Sequence, residues 1–112
     1  GTEWSGDLLT TTPCTCCKRS GGMRPDIVWF GEMPYHMERI EEALSGADIF
    51  AAIGTSGHVY PAAGFVLTAR FAGAVTVEIN NAQTKVSDHF TRHLIGPATV
   101  EVPHWVDEVL AV

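Results

Sequence analysis

The chain has 112 residues, 46% of them hydrophobic and 18% charged, with a formal net charge of -6. That is apolar enough for a packed core and argues against intrinsic disorder. The acidic balance gives nucleic acid binding no electrostatic support, and no apolar run reaches the ~18 residues of a membrane span.

The first segment, GTEWSGDLL, has neither a basic n-region nor an apolar h-region, so no signal peptide is expected. Residues 1–23 are rich in Thr, Gly, Ser and Cys without periodicity and predict loop structure that needs a staple. Three cysteines within four positions cannot build a disulfide framework; metal binding in a reducing, cytoplasmic setting is the better reading. Ile27–Phe30 predicts a short buried strand. His36–Leu44 predicts a helix with Met37, Ile40 and Leu44 on one face, stopped by Ser45-Gly46. Ala47–Ile53 reads as a strand covered on both faces, because it has almost no polar alternation. Pro61 suits a first helical position, and the helix should run to about Phe71 with Phe65, Val66 and Ala69 inward, ended by Gly73. Val75–Ile79 predicts the next strand. Ser87 is expected to cap a helix to about Leu94. Ala98–Val102 predicts a final strand, and Pro103 a last helix with Trp105, Val106, Val109 and Leu110 inward. This alternation predicts an α/β fold with a parallel sheet and right-handed crossovers.

Two features carry chemistry on their own. A parallel strand that ends in Gly54-Thr55-Ser56-Gly57 and leads to a helix is a ligand-site pattern. Glycines allow close backbone approach, and a helix N-terminus favours anions. A tight turn without a ligand fits the spacing equally well. Glu78-Ile79-Asn80 ends the next strand, where nucleotide folds commonly place a polar residue for ribose hydroxyls; Asn is also a common turn residue. The second feature is Cys14-Thr15-Cys16-Cys17. Its C-x-x-C pair is half of a tetrahedral zinc site, with a partly filled site or free thiols as alternatives. His89 and His93, four apart on the expected helix, lack a third ligand and read as a solvated or packing pair. Glu38, Glu41 and Glu42 read as a solvated helix face.

The ordered segments RPDIVWFGEMP (Arg24 to Pro34), GTSGHVYPAAGF (Gly54 to Phe65), residues 76–80 and GPAT (Gly96 to Thr99) resemble the second half of a sirtuin. Trp29 before Phe30-Gly31-Glu32 is most similar to the bacterial class III branch. The resemblance implies the C-terminal half of a Rossmann-like parallel sheet over residues 24–112, preceded by part of a small zinc module over residues 1–23. It implies NAD-dependent protein-lysine deacylation, of the deacetylase or desuccinylase type, which releases nicotinamide and O-acyl-ADP-ribose. By the same resemblance Gly54, Thr55, Ser56 and Asn80, with Asn81 and Ala82 adjacent, would contact NAD, and Ala98 would lie on the adenine side. An acyl-lysine peptide would be clamped by Gly31 and Glu32 on one side and His58, Val59 and Tyr60 on the other. The Val28 carbonyl would receive the lysine N–H, and Phe30 and Val59 would line the tunnel. Cys14 and Cys17, with Cys16 possible, would bind zinc together with cysteines upstream of Gly1. The general-base His and the residues that select the acyl group would also lie upstream, so Arg24 and Tyr35 are not matched to the latter. The chain alone is then expected to be inactive and to need the N-terminal half of the same enzyme. The competing reading is a non-catalytic nucleotide-binding module. A dehydrogenase fragment fits less well, since no GxGxxG is present.

Overall fold

The computed structural model describes residues 3–111. The extreme ends of the two segments expected from sequence, at residues 1, 2 and 112, lie outside the described residues. The chain divides into two units, one ending at Glu32 and the other beginning at Met33.

The first unit is a set of turns. Pro13 and Ser20 form an antiparallel bridge around the cysteines, closed by the Cys14 N–H donating to the Arg19 carbonyl at 2.8 Å. Lys18 turns the chain with φ 63°. The expected strand at Ile27–Phe30 does not form. No ladder partner lies beside it among the described residues of this unit. A turn takes over instead, with the Glu32 N–H donating to the Trp29 carbonyl at 3.1 Å and Gly31 at φ 84°. A positive φ of that size suits glycine, which has no β-carbon to clash.

The second unit is built around three parallel strands in the order β1 (Ile49–Ile53), β2 (Val75–Asn80) and β3 (Arg92–Ile95). Helix α1 (Met37–Ser45) buries Leu44 against Ala69 and Ala74, with Ile40 and Phe50 beside them. After β1 a 3-10 turn, Ala62–Gly64, leads into α2 (Phe65–Phe71), which packs on β1 and β2 and buries Val66 and Ala69 as the periodicity predicts. Gly73, φ 96°, closes α2. The Gly73 N–H bonds the Arg70 carbonyl and the Ala74 N–H bonds the Ala69 carbonyl, both at 3.0 Å, which is the Schellman pattern. Strand β2 has a neighbour on each side, and Thr76, Val77, Glu78 and Ile79 are all buried. Among the described residues no helix is long and apolar enough to cross a membrane.

The last third departs from the sequence expectation. Ser87 begins only a 3-10 turn, Ser87–His89, and not a helix to Leu94. Its hydroxyl is already engaged by the Thr84 N–H at 2.7 Å and by Glu78, so it caps nothing. Thr91 then exchanges bonds with Thr76, including Thr91 N–H to Thr76 Oγ1 at 3.0 Å, and draws the chain into β3. The third strand is therefore 92–95, and the segment 98–102 is helical. It opens α3 (Ala98–Leu110), with Pro97 extended at φ -62°, ψ 135° as its N-cap. The β-branched Thr99, Val100 and Val102 suggest a strand by propensity, but the sheet has by then taken its third strand from residues 92–95. Pro103 lies inside α3 and removes one backbone donor there. Helix α3 packs on β2 with Trp105 half-buried, whereas Val106, Val109 and Leu110, expected inward, are exposed. Strand β1 is likewise less covered than expected, with Ile49 and Ile53 each 44% exposed.

Candidate functional site

All three strands run the same way, so the segments that follow Ile53, Asn80 and Ile95 emerge at one end of the sheet. This is the end at which open parallel sheets bind ligands. Hydrogen bonds tie the three segments together. The Gly54 N–H donates to the Ile79 carbonyl at 2.9 Å, Asn80 Nδ2 donates to the Thr55 carbonyl at 2.8 Å, and the Gly96 N–H donates to the Asn80 carbonyl at 2.9 Å. Asn80 Oδ1 accepts from the Asn81 N–H at 2.9 Å. Asn80 thus sits at the centre and braces its neighbours. Its amide retains a second N–H, and its oxygen a second lone pair, to offer a ligand.

Gly54 and Gly57 have φ of 66° and 69°. A β-carbon at Gly54 would meet nothing within 4 Å, so the space above it is open. At Gly57 it would overlap Val86 Cγ2. The Thr55 hydroxyl accepts from the Gly57 N–H at 3.4 Å and closes the loop on itself. Beneath lies an apolar cavity of about 260 Å³, lined by Phe50, Ala52, Ala63, Val66 and Phe90 with Thr55 and Gly57 among its walls. The structure therefore brings Gly54, Thr55, Ser56, Asn80, Asn81, Ala82 and Ala98 to one end of the sheet. It does not place a helix directly after the glycine loop. His58, Val59 and Tyr60 follow as exposed, non-helical residues before the 3-10 turn begins.

Val28, Phe30, Gly31 and Glu32 belong to the first unit, where Phe30 is 88% exposed. The Glu32 side chain is committed internally. Its carboxylate takes both Arg24 guanidinium nitrogens, at 2.7 and 2.9 Å, and the Trp29 N–H at 3.0 Å, while Arg24 stacks 4.2 Å from the Trp29 ring centre. These hydrogen bonds, from Arg24 first and then from the Trp29 backbone, lower the Glu32 pKa to about 2. A carboxylate depressed in this way holds its partners above its ordinary range and releases them as pH falls through about 2. We expect an NMR titration of the Glu32 carboxyl to show that low midpoint, and Arg24→Gln to return it close to the ordinary carboxylate range. A midpoint near 4 in the unsubstituted chain would show that the pair does not form in solution.

In the cysteine turn, the Cys16 N–H points to Cys14 Sγ at 3.4 Å. The backbone N–H of Cys17, then that of Cys16, pull the Cys14 thiol below its ordinary pKa. Such a turn suits a thiolate donor. Among the described residues, however, no three His, Cys, Asp or Glu side chains are placed to share a metal ion, and the four ligands of a tetrahedral zinc site are not brought together. His89 and His93 are not a helical pair: the His89 carbonyl receives Arg70 Nη1 at 3.2 Å, and His93 lies on β3 with Nδ1 3.6 Å from Glu78.

Sequence reasoning missed Glu78. It is 4% exposed in the middle of β2 and accepts from Thr84 Oγ1 at 2.6 Å and from Ser87 Oγ. The available signal was a lone carboxylate in an otherwise apolar strand, followed by two hydroxyl residues in the next loop.

Taken together, three parallel strands with polar, glycine-bearing loops joined at their C-terminal ends define a Rossmann-like α/β sheet. The Sir2 family profile matches residues 2–61, more than half of the chain. A protein of Bdellovibrio bacteriovorus named NAD-dependent protein deacylase is 56% identical over 96% of this chain and 45% of its own length. A Salmonella typhimurium protein of the same name is 53% identical over 96% of this chain and 40% of its own length. Among solved structures, a Sir2 homologue in complex with ADP-ribose matches with a TM-score of 0.80 at 28% identity, over 99% of this chain and 46% of that one. A Sir2 protein bound to a myristoylated histone peptide matches with a TM-score of 0.75 at 33% identity, over 88% of this chain and 42% of that one. The chain belongs to the Sir2 family. It spans less than half the length of these relatives.

Proposed function

We propose that this chain is part of an NAD-dependent protein-lysine deacylase, in which it supplies one side of the NAD site and part of the acyl-lysine peptide site. The observation that carries the reading is the joining of Gly54-Thr55-Ser56, Asn80 and the Gly96–Ala98 segment at one end of the sheet. The open space over Gly54 and the spare capacity of the Asn80 amide fit a dinucleotide's ribose and phosphate groups. Relatives carry the deacylase name, and one neighbour holds ADP-ribose.

When bound, NAD would supply an activated ribose carbon to the acyl-lysine carbonyl oxygen, and with one water consumed to break the amide bond the products would be nicotinamide, O-acyl-ADP-ribose and free lysine. The chain's own residues position and desolvate. Gly54 lets the backbone approach the ligand, Thr55 and Ser56 offer hydroxyls, and Asn80 holds the loop to the strand end. An extended peptide would be held by main-chain bonds to Gly31 and Glu32, and by the backbone of His58, Val59 and Tyr60. Because the Glu32 carboxylate is spent on Arg24 and its N–H on the Trp29 carbonyl, its own carbonyl is what it can give to a peptide. The Val28 carbonyl would take the lysine N–H, with Phe30 and Val59 as apolar lining. Removal of acetyl or succinyl groups, dependence on a general-base histidine outside this chain, and inactivity of the chain alone belong to the same proposal. So does a structural zinc held by Cys14 and Cys17, with Cys16 in reserve and the other ligands from elsewhere in the protein. Cytoplasmic location goes with three unpaired thiols.

Asn80→Ala tests the NAD assignment. It removes the bond to Thr55 and the bond from Asn81, each worth about 1 kcal/mol, and any bond to ribose. In the full-length protein the Kd for ADP-ribose, read by calorimetric titration, should rise about tenfold or more. An unchanged Kd would remove Asn80 from the site. Binding of ADP-ribose without turnover of an acyl-lysine peptide would favour the non-catalytic nucleotide module.

A further inference from the structure

The structure assigns to Glu78 a positioning role: from inside the sheet its carboxylate clamps Thr84 and Ser87, and so holds the 81–87 segment against Gly57 and fixes the shape of the Gly54–Gly57 loop. The assignment rests on the reading of that loop as the NAD cradle.

A carboxylate buried on the central strand is costly unless every oxygen is partnered. Here each oxygen has a hydroxyl donor. Thr84 Oγ1 donates to Oε2 at 2.6 Å, and Ser87 Oγ donates to Oε1, beside which His93 Nδ1 lies at 3.6 Å. The Ser87 hydroxyl accepts in turn from the Thr84 N–H at 2.7 Å, which fixes the direction of its own proton toward Glu78. Ser87 is only 4% exposed, so water does not compete. The result is a directional anchor, where an apolar residue of similar size would fill space without selecting one loop geometry.

What the anchor presents to the ligand loop is Val86. It lies between the two anchored hydroxyl residues and is 7% exposed. Its Cγ2 occupies the place a β-carbon on Gly57 would take, and Thr84 Oγ1 is 3.5 Å from the same point. The loop is thus held at three places. Gly54 bonds the Ile79 carbonyl, Thr55 receives Asn80, and Gly57 rests on the surface that Glu78 holds up. The first two contacts come from residues directly after Glu78 in β2. One strand therefore controls both ends of the loop, through its backbone at one end and a buried carboxylate at the other. Glu78 touches no ligand itself.

The test is hydrogen–deuterium exchange together with calorimetric titration of ADP-ribose, on the full-length protein and its Glu78→Ala, Glu78→Gln and Thr84→Val variants. Glu78→Ala should speed exchange in both 81–87 and 54–57 and raise the Kd for ADP-ribose about tenfold, while exchange in α2 and β1 stays as it was. Glu78→Gln keeps an oxygen acceptor and should recover most of the affinity. Thr84→Val keeps the Glu78 carboxylate but takes away the hydroxyl donor to Oε2, and should raise the Kd about threefold; it carries the test if Glu78→Ala does not fold. Faster exchange confined to 81–87, with an unchanged Kd, would make Glu78 a local staple and overturn the proposal. If the unsubstituted protein does not bind ADP-ribose, the NAD reading fails. The spread of exchange into 54–57, or its absence, then still decides whether Glu78 positions that loop.

Discussion

On the proposed NAD reading, Gly57→Ala in the full-length protein will weaken ADP-ribose binding by at least tenfold. Two costs add at this position. Gly57 has φ 69°, a conformation worth about 1–2 kcal/mol to a residue with a β-carbon. The new methyl would also overlap Val86 Cγ2, and Val86 cannot retreat, because it is packed with Val66 and Phe90. Forced overpacking typically costs about 1–3 kcal/mol. The loop is the cheapest part to move, since Ser56 and His58 on either side are exposed, so the strain will appear as a displaced Gly54–Gly57 loop more than as lost stability. Adding Val86→Ala removes the overlap and leaves the φ cost. The double variant should therefore regain part of the lost affinity and not all of it. Calorimetric titration with ADP-ribose on the single and double variants reads this directly. Equal affinity in Gly57→Ala and the unsubstituted protein would mean that this loop does not carry the ligand.

Ile79→Ala will lower the unfolding temperature of the full-length protein by roughly 5 °C or more. Ile79 is fully inaccessible and pairs with Ile53 on one side and Leu94 on the other. Truncating such a side chain costs about 2–5 kcal/mol, and in a full-length protein of the relatives' size each kcal/mol is worth about 2–4 °C. Val75, on the same strand and 53% exposed, is the control; its replacement by alanine should cost under about 1 kcal/mol. Thermal unfolding followed by circular dichroism compares the two. A small shift for Ile79→Ala would mean that the site is able to collapse around the gap, and β2 would lose its claim to be the centre of the core.

Legibility in the sequence followed how local each cause is. Helices α1 and α2 and strands β1 and β2 were readable because their signals lie within a few residues: the Met37, Ile40, Leu44 spacing, the apolar run before Gly54, and Gly73 after α2. The Gly54–Gly57 loop was readable for the same reason, as glycines directly after an apolar strand. Past Ser87 the causes become tertiary. A serine hydroxyl can cap a helix or satisfy a buried carboxylate, and the choice was made by Glu78. Thr91 could continue a helix or join a sheet, and Thr76 decided it. Valines and threonines after Pro97 favour a strand in isolation, but β3 had already formed from residues 92–95. Ile27–Phe30 has the composition of a strand and lacked a ladder partner among the described residues of its unit. The clamp around Glu78 was invisible for the same reason, since its members come together only once the strand and the loop after it have folded back on each other.

The order β1-β2-β3 across the sheet is also the order along the chain. Each strand is laid beside the one made just before it, and none has to be inserted between two that are already joined. Partners such as Ile49 and Val75, or Val77 and Arg92, are separated by a single connection. Loop-closure entropy for each step is correspondingly modest, and folding can follow synthesis from the ribosome. β2 docks on a finished neighbour and leaves its far edge for the next arrival. The Gly54 loop takes its final form only when β2 emerges with Asn80, and the 96–98 segment joins last, so the pocket would mature in the order in which the chain is made.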